Sequence, residues 1–160
     1  MSKWINDDGL VVKFGTTEAE VIKAGERSAF GQHLIYRAVV DWDDLNAFGT
    51  FTLLSDTSAL PNGARIEEAD FYVEDAFTSG GAATLDLGFY DQDRVTAIDA
   101  DGIDAAIAVA SLTAGATISC DGALIDTTLT NAGLLSATAG VADFTAGRGI
   151  LTIKSYVVNA

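Results

Sequence analysis

Two alternating stretches between residues 60 and 93 constrain the fold of this chain more than any other feature. Apolar side chains recur at every second position in both, which is the period of a strand that buries one face. The apolar positions are Ala69, Phe71 and Val73 in the first stretch and Leu85, Leu87 and Phe89 in the second. Thr78-Ser79-Gly80-Gly81 lies between them, and its glycines permit the positive φ of a reversing loop. We therefore predict a β-hairpin over residues 60–93 that shares one buried face and nucleates a β-sandwich.

The chain as a whole is typical of one mostly β domain. Its 160 residues suit a single domain that buries most of its apolar surface without disulfides. Turn residues separate about eight short apolar stretches, a pattern that favours a sandwich. We predict a single-domain antiparallel β-sandwich over residues 1–160, jelly-roll-like, with one or two short helices.

Outside the hairpin, apolar stretches between turn residues give further strand candidates. They cover residues 10–14, 33–40, 50–54, 116–120, 124–125, 134–135, 141–145 and 150–158. Ala146-Gly147-Arg148-Gly149 is predicted as a turn into the last strand. Because that strand is apolar on both faces, we expect it to be central in its sheet.

Two segments are predicted as short helices. Ile103, Ala106, Ile107 and Ala110 recur at helical spacing, so the best candidate covers residues 103–112. Residues 16–25 fit a short helix after a Thr17 cap, although their glutamates also suit a solvated loop.

The charge of the chain excludes several classes of partner. The net charge is −14, and residues 1–104 hold 20 acidic and 7 basic side chains, whereas residues 105–160 hold 3 and 2. Such a field repels phosphate backbones and anionic lipids, so we expect neither nucleic acid nor membrane as a partner. The acidic side chains either form a solvated face or recruit a basic partner. We also expect no secretory signal, because the first ten residues contain no apolar core.

No arrangement of residues indicates catalysis. His33 is the single histidine and opens an apolar strand, so we interpret it as structural. Cys120 is the single cysteine, which excludes an internal disulfide, and we interpret it as a small buried apolar residue. We therefore predict a protein that is not an enzyme, with no catalytic residue, no cofactor and no metal.

The acidic run at residues 99–104 is the one candidate metal site. With Gly102 at the sixth position of an EF-hand loop, Ala97 and Ala108 occupy the first and twelfth positions, where carboxylates are needed. This excludes an EF-hand. A looser calcium site that includes Asp91 or Asp93 stays open beside the simpler interpretation, an acidic loop that leads into a capped helix.

The N-terminal segment contains apolar side chains that need a surface to cover them. Trp4 and Ile5 precede the turn Asn6-Asp7-Asp8-Gly9, and Leu10 and Val12 follow it. Either these residues pack on their own domain, or residues 1–9 form an N-terminal arm that contacts a neighbouring subunit.

Three parts of the chain together resemble a known group of proteins. They are the opening residues 4–16 (WINDDGLVVKFGT), the segment from Leu60 to Phe89, and residues 144–151 (FTAGRGIL). This combination resembles small virion structural proteins of tailed bacteriophages, of the capsid decoration or cement type. The resemblance covers most of the chain. It lies in the pattern of strand and turn residues and includes no active-site signature.

The resemblance implies a β-rich accessory subunit that binds the outer surface of the phage head, bridges capsomers and stabilises the capsid. The implied partner is the major capsid protein, together with self-association in which a trimer is favoured and a monomer or dimer stays open. It further implies synthesis in the host cytoplasm and a final location on the outer surface of the virion. Trp4, Ile5, Leu10 and Val12 are the expected contact residues.

A second interpretation is a receptor- or carbohydrate-binding module of a phage head or tail fibre. Tyr72 and Tyr90 alternate with the buried positions of the predicted hairpin and would then form a stacking platform. The simpler interpretation of these two tyrosines is a cross-strand pair that stabilises the hairpin.

Overall fold

The computed structural model describes residues 2–5, 11–14, 33–45, 47–54 and 59–157. The chain divides into two units, residues 1–32 and residues 33–160. In the first unit, β1 (Ser2–Ile5) and β2 (Val11–Phe14) pair in antiparallel orientation. The strand predicted over residues 10–14 is thereby confirmed from residue 11 onward. The helix predicted over residues 16–25 lies outside the described residues.

The second unit contains eight strands in two four-stranded antiparallel sheets. They are β3 (His33–Asp41), β4 (Phe51–Leu53), β5 (Ala64–Ser79), β6 (Thr84–Asp91), β7 (Ala97–Ala108), β8 (Thr117–Ser119), β9 (Gly133–Gly140) and β10 (Phe144–Val157). The first sheet has the order β3-β10-β5-β8 and the second has the order β4-β9-β6-β7. The prediction of a mostly β, antiparallel fold is confirmed.

The strand order follows a regular rule. Successive strands alternate between the two sheets except at β6–β7, and the first and last of the eight strands, β3 and β10, are neighbours. We interpret this order as that of a jelly roll, in which paired strands fold back over one another as two sheets.

The two sheets enclose one apolar core, to which both halves of the predicted hairpin contribute. All six predicted inner-face residues are buried: Ala69, Phe71, Val73, Leu85, Leu87 and Phe89. The predicted pairing of the two stretches is nevertheless wrong, because β5 belongs to the first sheet and β6 to the second. The glycine-containing link after Ser79 therefore carries the chain from one sheet to the other. Alternation shows which residues face the core, but it does not show which strand lies beside which.

The last strand has the predicted central position. β10 lies between β3 and β5 and pairs with both. The turn predicted at residues 146–149 is wrong, since β10 runs through this segment with shifts of register. Its glycines instead make room for rings: a Cβ at Gly147 would lie 2.3 Å from the Phe77 ring, and one at Gly149 would lie 2.3 Å from the Phe71 ring.

The helix predicted over residues 103–112 is also wrong. β7 continues to Ala108 and is followed by a single 3-10 turn, Val109–Ser111, and the described residues contain no α-helix. Ile103 and Ile107 are buried as predicted. Their separation of four residues fits one face of a strand as well as one face of a helix, so the period was ambiguous. Ala106 has φ 54° and marks a bulge where β7 gains a residue over β6.

The nearly neutral last third of the chain supplies one of the two central strands of each sheet. β9 lies between β4 and β6, as β10 lies between β3 and β5. Its small residues Ala137 and Ala139 are fully covered, so they serve close packing within the subunit. Among the described residues, no helix is long and apolar enough to cross a membrane.

Candidate interaction surface

The single cysteine has no nucleophilic character in this structure. Cys120 is 6% exposed, and its Sγ lies 4.0 Å from the carbonyl oxygen of Ile118. Burial, and secondarily the charge of Asp104, raises the pKa of the Cys120 thiol to about 12. A thiol that stays protonated at neutral pH is a poor nucleophile. The sequence-based interpretation of Cys120 as a buried apolar residue is confirmed.

The single histidine lies at the start of β3 and contacts two neighbours. Its Nδ1 is 3.7 Å from a carboxylate oxygen of Glu67, and its ring centroid is 5.8 Å from that of Tyr156. Both contacts join β3 to the strands of its own sheet. The position is that of a structural side chain at a sheet edge.

The acidic segment at residues 91–104 uses its carboxylates within the chain. Asp93 accepts hydrogen bonds from the backbone N–H of Val95, the backbone N–H of Thr96 and the Thr96 hydroxyl, which together lower the pKa of Asp93. Asp91 accepts from the side-chain amide of Asn131 at 3.1 Å. Within the part of the chain that is described, no three His, Cys, Asp or Glu side chains form a group that could hold a metal ion.

Gly102 opens no helix in this segment, since β7 passes through it. A Cβ at Gly102 would lie 2.6 Å from the Leu124 side chain, so the glycine permits a close approach. The expectation of an acidic loop leading into a capped helix is therefore wrong. The pKa of Asp99 is raised by burial and by its hydrogen bond with Asp101.

The outer side of the first sheet is the candidate interaction surface, which we call the β3-β10-β5 face. It comprises the outward residues of three adjacent strands: Ile35, Arg37 and Val39 of β3, Ile150, Thr152 and Lys154 of β10, and Glu68, Asp70 and Tyr72 of β5. These strands pair in register, so the residues form rows across the sheet. One row is Val39–Ile150–Tyr72, and the next is Arg37–Thr152–Asp70.

The β3-β10-β5 face exposes large apolar side chains. Ile35 is 63% exposed, Val39 42% and Tyr72 44%, and Ile150 between them is half-buried. Other exposed large apolar side chains of the described residues lie in turns, such as Val95 and Val141. Isolated exposed apolar residues are ordinary on a soluble protein, whereas a row on a rigid sheet indicates a contact surface.

Ion pairs border the apolar row on both sides. Arg148 of β10 lies 2.9 Å from Glu74 of β5 and 3.6 Å from Asp41 of β3, so one guanidinium joins three strands. On the other side, Lys154 pairs with Glu68, which raises the pKa of Lys154. Exposed pairs of this kind add little to stability. Their effect is to hold long side chains against the sheet and leave the row between them open.

The contact residues predicted from the sequence lie in the first unit. Trp4 and Ile5 are in β1, and their Cα partners in β2 are Val12 and Val11. Leu10 lies outside the described residues. The structure thus places three of the four predicted residues in one short antiparallel pair, and their role in contacts stays a prediction.

The two tyrosines proposed as a sugar platform do not lie together. Tyr72 is on the outer side of the first sheet and Tyr90 is on β6 of the second sheet. Tyr90 stacks on Phe51, with ring centroids 3.8 Å apart and planes 18° apart. The cross-strand pair and the shared platform are therefore both wrong, because each assumed that β5 and β6 are neighbours.

Sequence reasoning did not identify the β3-β10-β5 face. In residues 33–40 both alternating sets contain apolar side chains, so periodicity alone does not show whether Ile35 and Val39 or Ala38 and Val40 face the core. The charge of Arg37 was the one available signal, because a charged side chain marks the outward set of a strand.

Comparison with known proteins adds a fold-level finding. No protein-family model and no curated protein sequence matches this chain. Among solved structures, it is similar to a chain of the cyanophage Pam1 capsid asymmetric unit, with a TM-score of 0.59, 16% identity, and coverage of 83% of this chain and 91% of that chain. It is also similar to a chain of the Ralstonia phage GP4 capsid, with a TM-score of 0.56, 19% identity, and coverage of 84% and 90%.

The fold is one found in phage capsids. A third similar chain comes from the acid-stable capsid of Helicobacter pylori bacteriophage KHP30, with a TM-score of 0.52, 14% identity, and coverage of 78% and 87%. In all three comparisons the alignment covers most of both chains, so the neighbours are small chains of similar length. At this level of identity the similarity concerns the fold.

Proposed function

We propose that this chain is a structural subunit of a tailed-phage virion, and specifically a capsid decoration protein that binds the outer surface of the head. The observation that carries the proposal is the shared fold with chains of three phage capsids over nearly their full length. In this proposal the protein is not an enzyme. It contacts the major capsid protein, bridges capsomers and stabilises the shell.

The described residues offer physical support for such a role. A rigid sandwich with an exposed apolar row suits repeated contacts on a lattice, where many weak contacts sum to a strong attachment. The strongly negative charge keeps free subunits soluble before assembly. Self-association belongs to the proposal, and the trimer that the resemblance favours stays a prediction.

The N-terminal pair of strands supplies the proposed contact with the shell. Trp4, Ile5 and Val12 lie there, with Leu10 next to them in sequence. Tryptophan is enriched among residues that dominate binding energy at interfaces, and its truncation there commonly costs about 2 kcal/mol or more. We therefore assign Trp4 the leading role in capsid binding.

Binding to undecorated heads tests the proposal. Purified protein is titrated onto heads that lack it, the copies bound per head are counted, and the temperature of DNA release is measured. We expect saturation at a defined number of copies and a higher release temperature. Absence of binding, or binding that adds no heat resistance, would contradict the decoration role.

A matched pair of tryptophan variants tests the contact. Trp4→Ala is expected to weaken binding to heads roughly 30-fold, the equivalent of about 2 kcal/mol. Trp42→Ala removes the other tryptophan, which lies in the turn after β3 and is 38% exposed, and should bind as the wild type does. Equal effects of the two substitutions would remove the assignment of Trp4.

The alternative of a glycan-binding module has one feature in its favour. A shallow cavity of about 290 Å³ on the second sheet is lined by residues that include Phe51, Tyr90, Asp86 and Asp101. One face of the Tyr90 ring is already occupied by Phe51, so this aromatic pair offers less stacking surface than two free rings. Specific signals on a glycan array, lost in Tyr90→Ala, would favour this function over decoration.

A further inference from the structure

The backbone of β3 is open to pairing along one side. β3 lies at the end of the first sheet and pairs with β10 alone among the described strands. The backbone N–H of Trp42 donates to the carbonyl oxygen of Gly147, so the even-numbered residues of β3 are those that bond to β10. The N–H and C=O groups of Ile35, Arg37 and Val39 therefore point away from the sheet. No hydrogen bond within the described part of the chain uses them.

The other three edges of the two described sheets are poor templates for a further strand. β4 and β8 have three residues each. β7 is longer, but its pairing with β6 contains three shifts of register, and a neighbouring loop already hydrogen-bonds to its Gly102 and Ile103. β3, in contrast, pairs with β10 over nine residues without a shift. A long and regular edge strand is a template for another chain, and most proteins block such edges.

A groove runs along this open edge, between β3 and the second sheet. It has a volume of about 560 Å³, and its lining consists of residues 35–39 of β3 together with Asp44, Leu54 and Leu135. The second sheet ends on this side with β4, which is only three residues long, so it covers less of this side than β3 spans. A strand added to β3 would place every second side chain in the groove, opposite Tyr36 and Ala38.

We propose that β3 is a docking edge for an extended segment of a partner protein, which joins the first sheet as a fifth antiparallel strand. The backbone of the segment pairs with the N–H and C=O groups of Ile35, Arg37 and Val39. In this mode of recognition the main-chain hydrogen bonds supply affinity, and side chains at alternate positions supply specificity. The inference goes beyond the decoration role and does not depend on it.

The side chains of β3 define the chemistry of the segment. Arg37 is exposed and has no hydrogen bond or ion pair with any residue in the described ranges. It lies between Ile35, which is 63% exposed, and Val39, which is 42% exposed. Side chains directly opposite one another in an antiparallel pair are in contact, and opposite charges there are stabilising. The segment therefore carries a carboxylate opposite Arg37, apolar residues two positions to either side, and small apolar residues between them that enter the groove.

A second copy of this chain is a poorer occupant of the edge. Two β3 strands related by a two-fold axis pair in antiparallel orientation, and the registers that pair most of the strand are centred on Tyr36, Arg37 or Ala38. Each of these registers sets Arg37 directly opposite or diagonally beside Arg37 of the partner subunit. Like charges in such positions are destabilising, so charge favours an acidic segment of a different protein.

Two synthetic peptides test the selectivity on the full chain. The first is Thr-Val-Ala-Glu-Ala-Val-Thr with blocked termini, and its twin has Lys in place of Glu. Nuclear magnetic resonance follows binding from roughly 10 μM to 1 mM peptide, a range that suits weak recognition. We expect the Glu peptide to bind about tenfold more tightly than the Lys peptide, and Arg37→Glu to reverse this order by about the same factor. Arg94→Glu, in the turn after β6, has the same charge change and should keep the wild-type order.

Two N-methylated forms of the Glu peptide test the backbone pairing. Methylation of the Glu nitrogen removes a donor that points at Arg37, whereas methylation of the next alanine nitrogen removes one that points away from β3. We expect the first form to bind at least about tenfold more weakly than the parent peptide and the second to bind within about threefold of it. An equal loss from both forms would contradict strand pairing.

Hydrogen exchange observes the open edge directly. In the free protein the amides of Ile35, Arg37 and Val39 should exchange faster than those of Tyr36 and Ala38, which bond to β10. Glu peptide at about ten times its Kd should slow the first three about tenfold. Protection of these three amides without peptide, or a peptide order that Arg37→Glu leaves unchanged, would overturn the proposal. Circular dichroism establishes that each variant is folded, and no measurement uses phage heads, so this inference and the decoration role fail separately.

Discussion

The carboxylate of Asp86 accepts a hydrogen bond from the backbone N–H of Ala106, with Oδ1 and N 2.6 Å apart. This bond joins β6 to the bulge of β7, where Ala106 has φ 54°. A left-handed backbone is unfavourable for any residue with a Cβ, so the bulge persists because the surrounding structure supports it. The segment predicted as a helix is held as a strand at this point.

Variants of Asp86 and Ala106 test whether their hydrogen bond stabilises the bulge of β7. Asp86→Ala is expected to lower the free energy of unfolding by about 1 kcal/mol, since the amide loses its acceptor, and Asp86→Asn should lose less. Ala106→Gly should raise the free energy of unfolding by about 1 kcal/mol because glycine adopts positive φ without strain. Urea unfolding measures all three, and an Asp86→Ala variant as stable as the wild type would show that the bond is incidental.

Two glycines allow a matched test of close packing. A Cβ at Gly88 would lie 2.2 Å from the backbone oxygen of Asp99, and backbone atoms cannot yield as a flexible side chain can. Gly88→Ala is therefore expected to destabilise the protein by about 3 kcal/mol or more. Gly80 has no atom within 4 Å of its Cβ position, and Gly80→Ala should change stability by less than about 1 kcal/mol. Similar melting temperatures for the two variants would refute this packing.

The buried thiol predicts a loss of stability at alkaline pH. Burial raises the pKa of Cys120 from 9.0 to about 12, so the folded state favours the neutral thiol. The stability that the folded state gains from keeping this thiol neutral is fully present below pH 9. It decreases as the pH rises toward 12, because the thiol ionises first in the unfolded state. The wild type should therefore lose more stability between pH 8 and about 10.5 than Cys120→Ala does. Urea midpoints at the two pH values give the difference, in which the shared effects of tyrosine and lysine cancel.

Replacement of Asp104 by a neutral residue is predicted to raise the stability of the protein by an amount that depends on pH. It is 7% exposed, and burial, followed by the charge of Asp121, raises its pKa. The folded state thus favours the protonated acid, and that contribution is present below about pH 3.8 and lost as the pH rises through the folded pKa. Asp104→Asn should raise the melting temperature at pH 7, with a smaller change at pH 3.5. A variant that is less stable at pH 7 would show that the hydrogen bonds of the carboxylate outweigh its burial.

The local pattern of residues correctly predicted several features of this fold. Alternation identified the buried faces of β5 and β6 before any pairing was known, because a strand with one covered face must repeat every two residues. The last stretch is apolar on both faces, which predicted a central strand. The structure confirms this, because β10 has a neighbouring strand on each side. Cys120 is the single cysteine and was predicted to be a buried apolar residue, and the structure confirms that it is buried and forms no disulfide.

Local pattern failed wherever a distant segment decided the outcome. Glycines 147 and 149 look like a turn in sequence, yet they lie in β10 because Phe77 and Phe71 occupy the space beside them. Ile103 and Ile107 have a spacing that helix and strand share, and pairing with β6 selected the strand. In both cases the deciding partner is many residues away.

The segment at residues 60–93 separates the two kinds of information. The sequence by itself determined that it contains two strands with buried inner faces, because that follows from the period of apolar residues. Only the tertiary structure decided that β5 and β6 face each other across the core in different sheets, since strand order depends on long-range pairing with β10 and β9. The same pairing assembles the Val39–Ile150–Tyr72 row from three distant segments, which no local pattern contains.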